Sequence, residues 1–157
     1  MKPVQHFEEF IKNNIVKEQT PDRSRANFLI NESESSYNLL NKKIDLLGIS
    51  DQTANDLIKS CYDIIMQLIR AKMLLDGYNA SGLGAHEAEV SYMRELGFEE
   101  KEVQFTNQLR YYRNGMLYYG KILDKEYAQE VIKFTKRLYK RLRALIEKNK
   151  DTNQTQF

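Results

Sequence analysis

Cysteine is almost missing from this chain. Cys61 is the only one in 157 residues, so no disulfide framework can form within a single chain. It stands in a helical stripe with Leu57, Ile64 and Leu68, a setting that suits a buried, inert thiol packing as a small hydrophobe. Long apolar runs are missing too. No stretch approaches the roughly 20 apolar residues of a membrane span. The opening "MKPVQHFEEF" has no apolar segment of signal-peptide length, so a cytoplasmic protein without membrane contact is expected. The triplets Asn31-Glu32-Ser33, Asn79-Ala80-Ser81 and Asn153-Gln154-Thr155 fit the glycosylation pattern, but without a secretory signal they count as chance matches. An excess of one charge is lacking as well. Charged residues make up 29% of the chain and the net charge is only +2, which excludes a polycation that coats nucleic acid or anionic membrane. Any electrostatic partner is met locally.

Glycine clusters only in "GYNASGLGAHE". Gly82-Leu83-Gly84 does not make a phosphate loop: no β-branched strand precedes it, the third glycine of a dinucleotide fingerprint is absent, and no Gly-Lys-Ser/Thr follows. A loop between helices is expected there. "HEAEV" fails as a zinc helix because Val90 stands where a second histidine is required, which leaves His86 as a helix-start or surface residue. No spacing in the chain provides a metal or cofactor site, and none is expected.

What is present is helical periodicity along nearly the whole chain. Phe7, Phe10, Ile11 and Ile15 predict a short amphipathic helix, followed by "KEQTPD", where Thr20 can cap and Pro21 can take the first helical position. The first 20 residues thus read as a helix and a linker. The next helix shows Ala26, Ile30, Ser33, Tyr37, Leu40, Ile44 and Leu47 on one face and stops at Gly48. Ser50 caps a third, whose stripe of Leu57, Cys61, Ile64, Leu68, Ala71 and Leu75 is widened by Ile58, Ile65 and Ile69, so it should be central. A short helix is expected over residues 86–96, ended by Gly97. A longer one is expected over 99–122, with Phe105, Leu109, Tyr112, Met116, Tyr119 and Leu123 facing the core. The last helix buries Val131, Phe134, Leu138, Leu142 and Leu145. Its other face collects Lys133, Lys136, Arg137, Lys140, Arg141 and Arg143, which reads as solvated surface or as an RNA-backbone footprint. Residues 150–157 are polar and expected to be disordered. The fold class is an all-α, up-and-down antiparallel bundle of five to six helices over residues 21–149.

The candidate site lies in "LRYYRNGMLYYGK". Opposite its core stripe, Asn107, Tyr111, Asn114 and Tyr118 recur at steps of four, three and four, with Arg110 and Arg113 beside them. An exposed helix back is usually lysine, glutamate and glutamine. Amides and phenols flanked by guanidinium suit a wet contact between chains, and arginine grips phosphate bidentately. Arg113 and Tyr118 are five positions apart, about 140° around a regular helix, so aiming both at one small ligand takes a distortion or a second subunit. The alternative is a second buried face with satisfied polar groups.

"RNGMLYYG" resembles the Arg-Asn/Asp-x-x-x-His signature of the HEPN domains, all-helical nucleotide-binding and ribonuclease modules. The order of elements over residues 22–148 is similar as well. The resemblance places Arg113 on the family arginine, Asn114 on the polar residue after it, and Tyr118 where the family has histidine. HEPN ribonucleases use the histidine and arginine of two chains, without metal, at a dimer cleft. A phenol with an ordinary pKa near ~10 is a poor general base at neutral pH. The resemblance therefore implies a non-catalytic homodimeric module that binds a nucleotide or RNA phosphate through Arg113, Asn114 and Tyr118, of the kind found beside a nucleotidyltransferase partner; the stripe itself adds Tyr111 and Arg110 as ligand-binding candidates. The runner-up is a metal-independent, toxin-type endoribonuclease, with Arg113 and either Tyr118 or His86 as its catalytic groups. The third reading is a helical protein-interaction domain with no ligand site.

Overall fold

The computed structural model describes residues 2–120 and 122–155; the side chains of residues 117, 118 and 150–155 lie outside the described residues. The order is α1 (Phe7–Lys12), β1 (Val16–Glu18), α2 (Arg23–Leu47), α3 (Asp51–Asp76), β2 (Tyr78–Ala80), α4 (Ala85–Glu95), α5 (Glu100–Tyr118) and α6 (Lys125–Thr155). This is an all-α helical bundle with one small pair of strands. No helix among the described residues is long and apolar enough to cross a membrane.

α3 is the axis of the bundle. Ser50 Oγ accepts from the Thr53 N–H at 3.3 Å while Thr53 Oγ1 accepts from the Ser50 N–H at 3.0 Å, so two orphan amides at the helix start are satisfied reciprocally. Leu57, Cys61, Ile64, Leu68 and Ala71 are fully buried, and so are Ile58, Ile65 and Ile69 on the flanks. α2, α4, α5 and α6 all pack against this helix. On α6, Val131, Phe134, Leu138 and Leu142 are buried and Leu145 is partly so, while on α2 the expected stripe holds except at its end, where Leu47 is exposed.

The expected N-terminal helix is present as α1, but the residues after it form a strand where a linker was expected. α1 stops at Lys12 because Asn14 turns left-handed (φ 60°), a conformation asparagine tolerates. The chain then runs extended as β1, antiparallel to β2, with Val16 opposite Ala80 and Glu18 opposite Tyr78. Val4, Phe7, Phe10 and Val16 join the common core. Three residues of the expected glycine-rich loop, Tyr78–Ala80, are therefore strand. Gly77 makes the entry into β2 possible: its φ is +88°, and a Cβ there would stand 2.7 Å from the Gln19 carbonyl oxygen. The start of α2 also moves. Asp22, not Thr20, is the cap, because its N–H is held by the Leu74 carbonyl (3.0 Å) while its side chain accepts from the Arg25 N–H (3.0 Å).

α5 ends earlier than its apolar stripe suggests. Gly120 turns left-handed (φ 65°), and the following loop is tied to the start of α3 by Leu123 N–H to Asn55 Oδ1 (2.7 Å) and Lys125 N–H to Asp51 Oδ1 (2.8 Å). Tyr119, expected in the core, is consequently exposed, whereas Tyr112 packs edge-on against Tyr127 with its hydroxyl accepting from Gln108. At the other end, α6 continues through 150–155, the stretch whose composition suggested disorder; residues 156 and 157 lie outside the described residues.

Candidate functional site

The apolar surface of α3 is broken at Asp63, Gln67 and Arg70, at steps of four and three that place them along one line of the helix. α4 and α5 answer this line with charge. Arg70 meets Glu89 through two contacts, Nε to Oε2 at 2.6 Å and Nη2 to Oε1 at 3.2 Å. Glu89 is buried, so its carboxylate depends on that fork. The exposed His86 stands 3.6 Å from the same carboxylate. Arg110 donates from Nε to Asn107 Oδ1 at 2.9 Å and lies 3.8 Å from Glu87 Oε1. Tyr62 is buried among these groups. Burial, and after it the charge of Glu89, holds its phenol well above the usual tyrosine range.

Arg113 sits at the end of this seam. Its Nε is 3.4 Å from Asp63 Oδ1, a contact at the long limit of hydrogen bonding, and its side chain is 16% exposed. Nη1 is buried and meets no acceptor among the described residues. A guanidinium carries five donors, and the two on Nη1 are left over here. Outside it, Asn114 and Tyr111 are exposed, and the Arg110 guanidinium lies 5.0 Å from the centre of the Tyr111 ring. The backbone of Tyr118 closes the last turn of α5; its side chain lies outside the described residues.

The predicted stripe is thus split. Asn107, expected on the outward face, is fully buried, and its Nδ2 has no partner among the described residues. Arg110 and Arg113 are turned toward the bundle, and Tyr111 and Asn114 face outward. Asp63, Gln67, Arg70, Glu87 and Glu89 were not among the expected site residues. The first three carried a legible signal, polar residues at helical spacing on the most apolar helix of the chain, whereas Glu87 and Glu89 on α4 carried none.

A second cationic surface lies on α6. Arg141 is already engaged, over the Phe98 ring at 4.0 Å and 3.3 Å from Glu102, and Arg143 donates to the Tyr139 hydroxyl at 2.9 Å. Lys133 and Arg137 remain exposed and edge a cavity of about 410 Å³ floored by Phe105 and Phe134 between α5 and α6. Compared with known proteins, the chain matches no family model and no curated protein.

Proposed function

We infer that this chain is a HEPN-like, non-catalytic module that binds the phosphate of a nucleotide or RNA on the α5 face, with Arg113 as its anion-gripping group. The observation that supports this most is the unused Nη1 of Arg113, buried beside an exposed amide and an exposed phenol. Phosphate offers the acceptors this fork lacks, and Tyr111 with Arg110 offers a stacking surface for a base. A second copy belongs to the reading, because Arg113 and Tyr118 diverge by about 140° on a regular helix. A nucleotidyltransferase partner and a cytoplasmic location belong to it through the resemblance. Cleavage of RNA does not: a phenol at Tyr118 would need its pKa lowered by several units, at about 1.4 kcal/mol each.

The test is calorimetry with AMP and a short single-stranded RNA. Binding is expected to weaken with salt, and Arg113→Ala should remove on the order of 1.5 to 3 kcal/mol, with little recovery in Arg113→Lys. Asp63→Asn should tighten binding by freeing the guanidinium from its one competing carboxylate. Binding that is unchanged in Arg113→Ala would move the site to the α5–α6 cavity. One observation favours a second reading, a packed interaction bundle: Arg113 is folded onto its own α3. On that reading neither ligand binds, and Arg113→Ala lowers only thermal stability.

A further inference from the structure

The face of α2 turned away from the core carries apolar side chains that the rest of the described chain leaves at least half exposed. Phe28, Leu39 and Leu46 are 63%, 53% and 83% exposed. At about 100° per residue, these three positions fall within about 20° of one line some 27 Å long, with polar residues spaced between them. Glu32, Ser35 and Lys42 lie within about 40° of the same line, and all three are exposed. Among the described residues neither Glu32 nor Lys42 has an ion-pair partner, whereas the neighbouring Lys43 is paired with Asp56 at 2.9 Å.

The stripe reads alike from both ends. Reversing α2 about Tyr37 carries Phe28 onto Leu46, Glu32 onto Lys42 and Ser35 onto Leu39. Apolar groups meet apolar groups at the two ends, a carboxylate comes level with an ammonium, and the small Ser35 leaves room for Leu39 at the centre. We propose that a second copy of this chain docks here, α2 against α2 and antiparallel, on a two-fold axis near Tyr37. An isologous contact makes each of these pairings twice. The charges choose the direction: a parallel pair would set Glu32 beside Glu32 and Lys42 beside Lys42, which repels. This contact uses a different helix from the ligand site and does not rest on that reading.

Sedimentation velocity on the full chain at micromolar concentration tests it. A dimer or larger species is expected for the unmodified chain. Leu39→Glu should halve its mass without changing the circular dichroism, since that side chain is already half exposed. Glu32→Lys should weaken association, and Glu32→Lys combined with Lys42→Glu should restore it. Oxidation of a Phe28→Cys/Leu46→Cys variant should give a disulfide-linked dimer, while Phe28→Cys alone should not; Cys61 is buried and stays out of the reaction. A monomeric unmodified chain overturns the proposal, and so does an unchanged mass in Leu39→Glu. In the latter case Tyr111→Glu, on α5, should be the substitution that dissociates the copies. A covalent dimer from Phe28→Cys alone overturns the antiparallel register.

Discussion

The two sides of α3 are built from different chemistry. Toward α2 and α6 the helix presents a dry apolar surface, with Cys61, Ile64 and Leu68 fully buried and the Cys61 thiol pushed up to about 11 by burial. Toward α4 and α5 it presents Asp63, Gln67 and Arg70, which meet Arg113 and Glu89. The first side draws its stability from area removed from water, about 1.5 to 3 kcal/mol for each large aliphatic side chain. The second recovers in ion pairing roughly what it spends in desolvation, so its net contribution is small. What the charged side supplies instead are links from α3 to α4 and α5, together with polar groups such as Arg113 Nη1 and Gln67 Oε1 that are not consumed within the described chain. The proposed anion site lies on that side for this reason.

The sharpest way to break the comparison is to cut both sides. Leu68→Ala should cost about 2 to 5 kcal/mol in urea unfolding, the range for a large-to-small change in a close-packed core. Asp63→Asn, at the partly exposed end of the charged seam, should cost under about 1 kcal/mol. Alkylation of Cys61 reports the same unfolding by an independent route, because the buried thiol reacts only when the apolar side opens. Comparable losses in the two variants would show that the seams do not differ in kind.

The apolar side was the part the sequence made easy to read. The stripe from Leu57 to Ala71 has the helical period, and burial follows from the period alone. The misread places share one cause, a local signal overruled by a distant partner. Pro21 looked like a helix start until the Leu74 carbonyl held the Asp22 amide outside α2. Val16 to Glu18 has too little alternation to announce a strand, and it forms one because β2 lies alongside. Tyr119 continues the stripe of α5 in sequence, but the Asn55 and Asp51 side chains draw the following loop back onto α3. The candidate site was legible as far as Arg113, Asn114 and Tyr111. Of its backing, Asp63 was marked by its place on the apolar α3, but Glu89 was not, since a carboxylate on a polar helix looks the same in sequence whether it faces water or a guanidinium.

The next test stays inside the charged seam. Glu89→Ala leaves Arg70 without its partner, but that guanidinium is about a quarter exposed (28%) and water takes over part of the fork. The loss should be about 1 to 3 kcal/mol, below the cost of a fully buried orphan. The paired change Arg70→Met with Glu89→Leu should recover most of it, because it removes both desolvation penalties at once. A double variant as weak as the single one would mean that the pair carries net stability, and the contrast between the two sides of α3 would narrow.

The smallest effect lies outside α3, where an ion pair meets solvent. The Arg94 guanidinium and then the Gln104 amide hold the Glu100 carboxyl at about 2, well below its ordinary 4.5. A carboxyl with a lowered folded-state pKa contributes stability above its unfolded value, and that contribution is lost as pH falls from about 4.5 through about 2. More than half of the Glu100 side chain is exposed, so solvent screens the pair and the global midpoint should hardly move. The local effect is clearer, because Arg94 also donates to the Val4 and Gln5 carbonyls, each at 2.9 Å, and so pins the segment before α1. The backbone amide chemical shifts of Gln5 and His6, whose preceding carbonyls Arg94 holds, should therefore move across that acid window in the unmodified protein. In Arg94→Ala they should already stand at their released positions at neutral pH, and in Glu100→Gln the movement across the window should vanish. An acid response that persists in Glu100→Gln would assign the window to another carboxylate and leave Arg94 holding the N-terminal segment unaided.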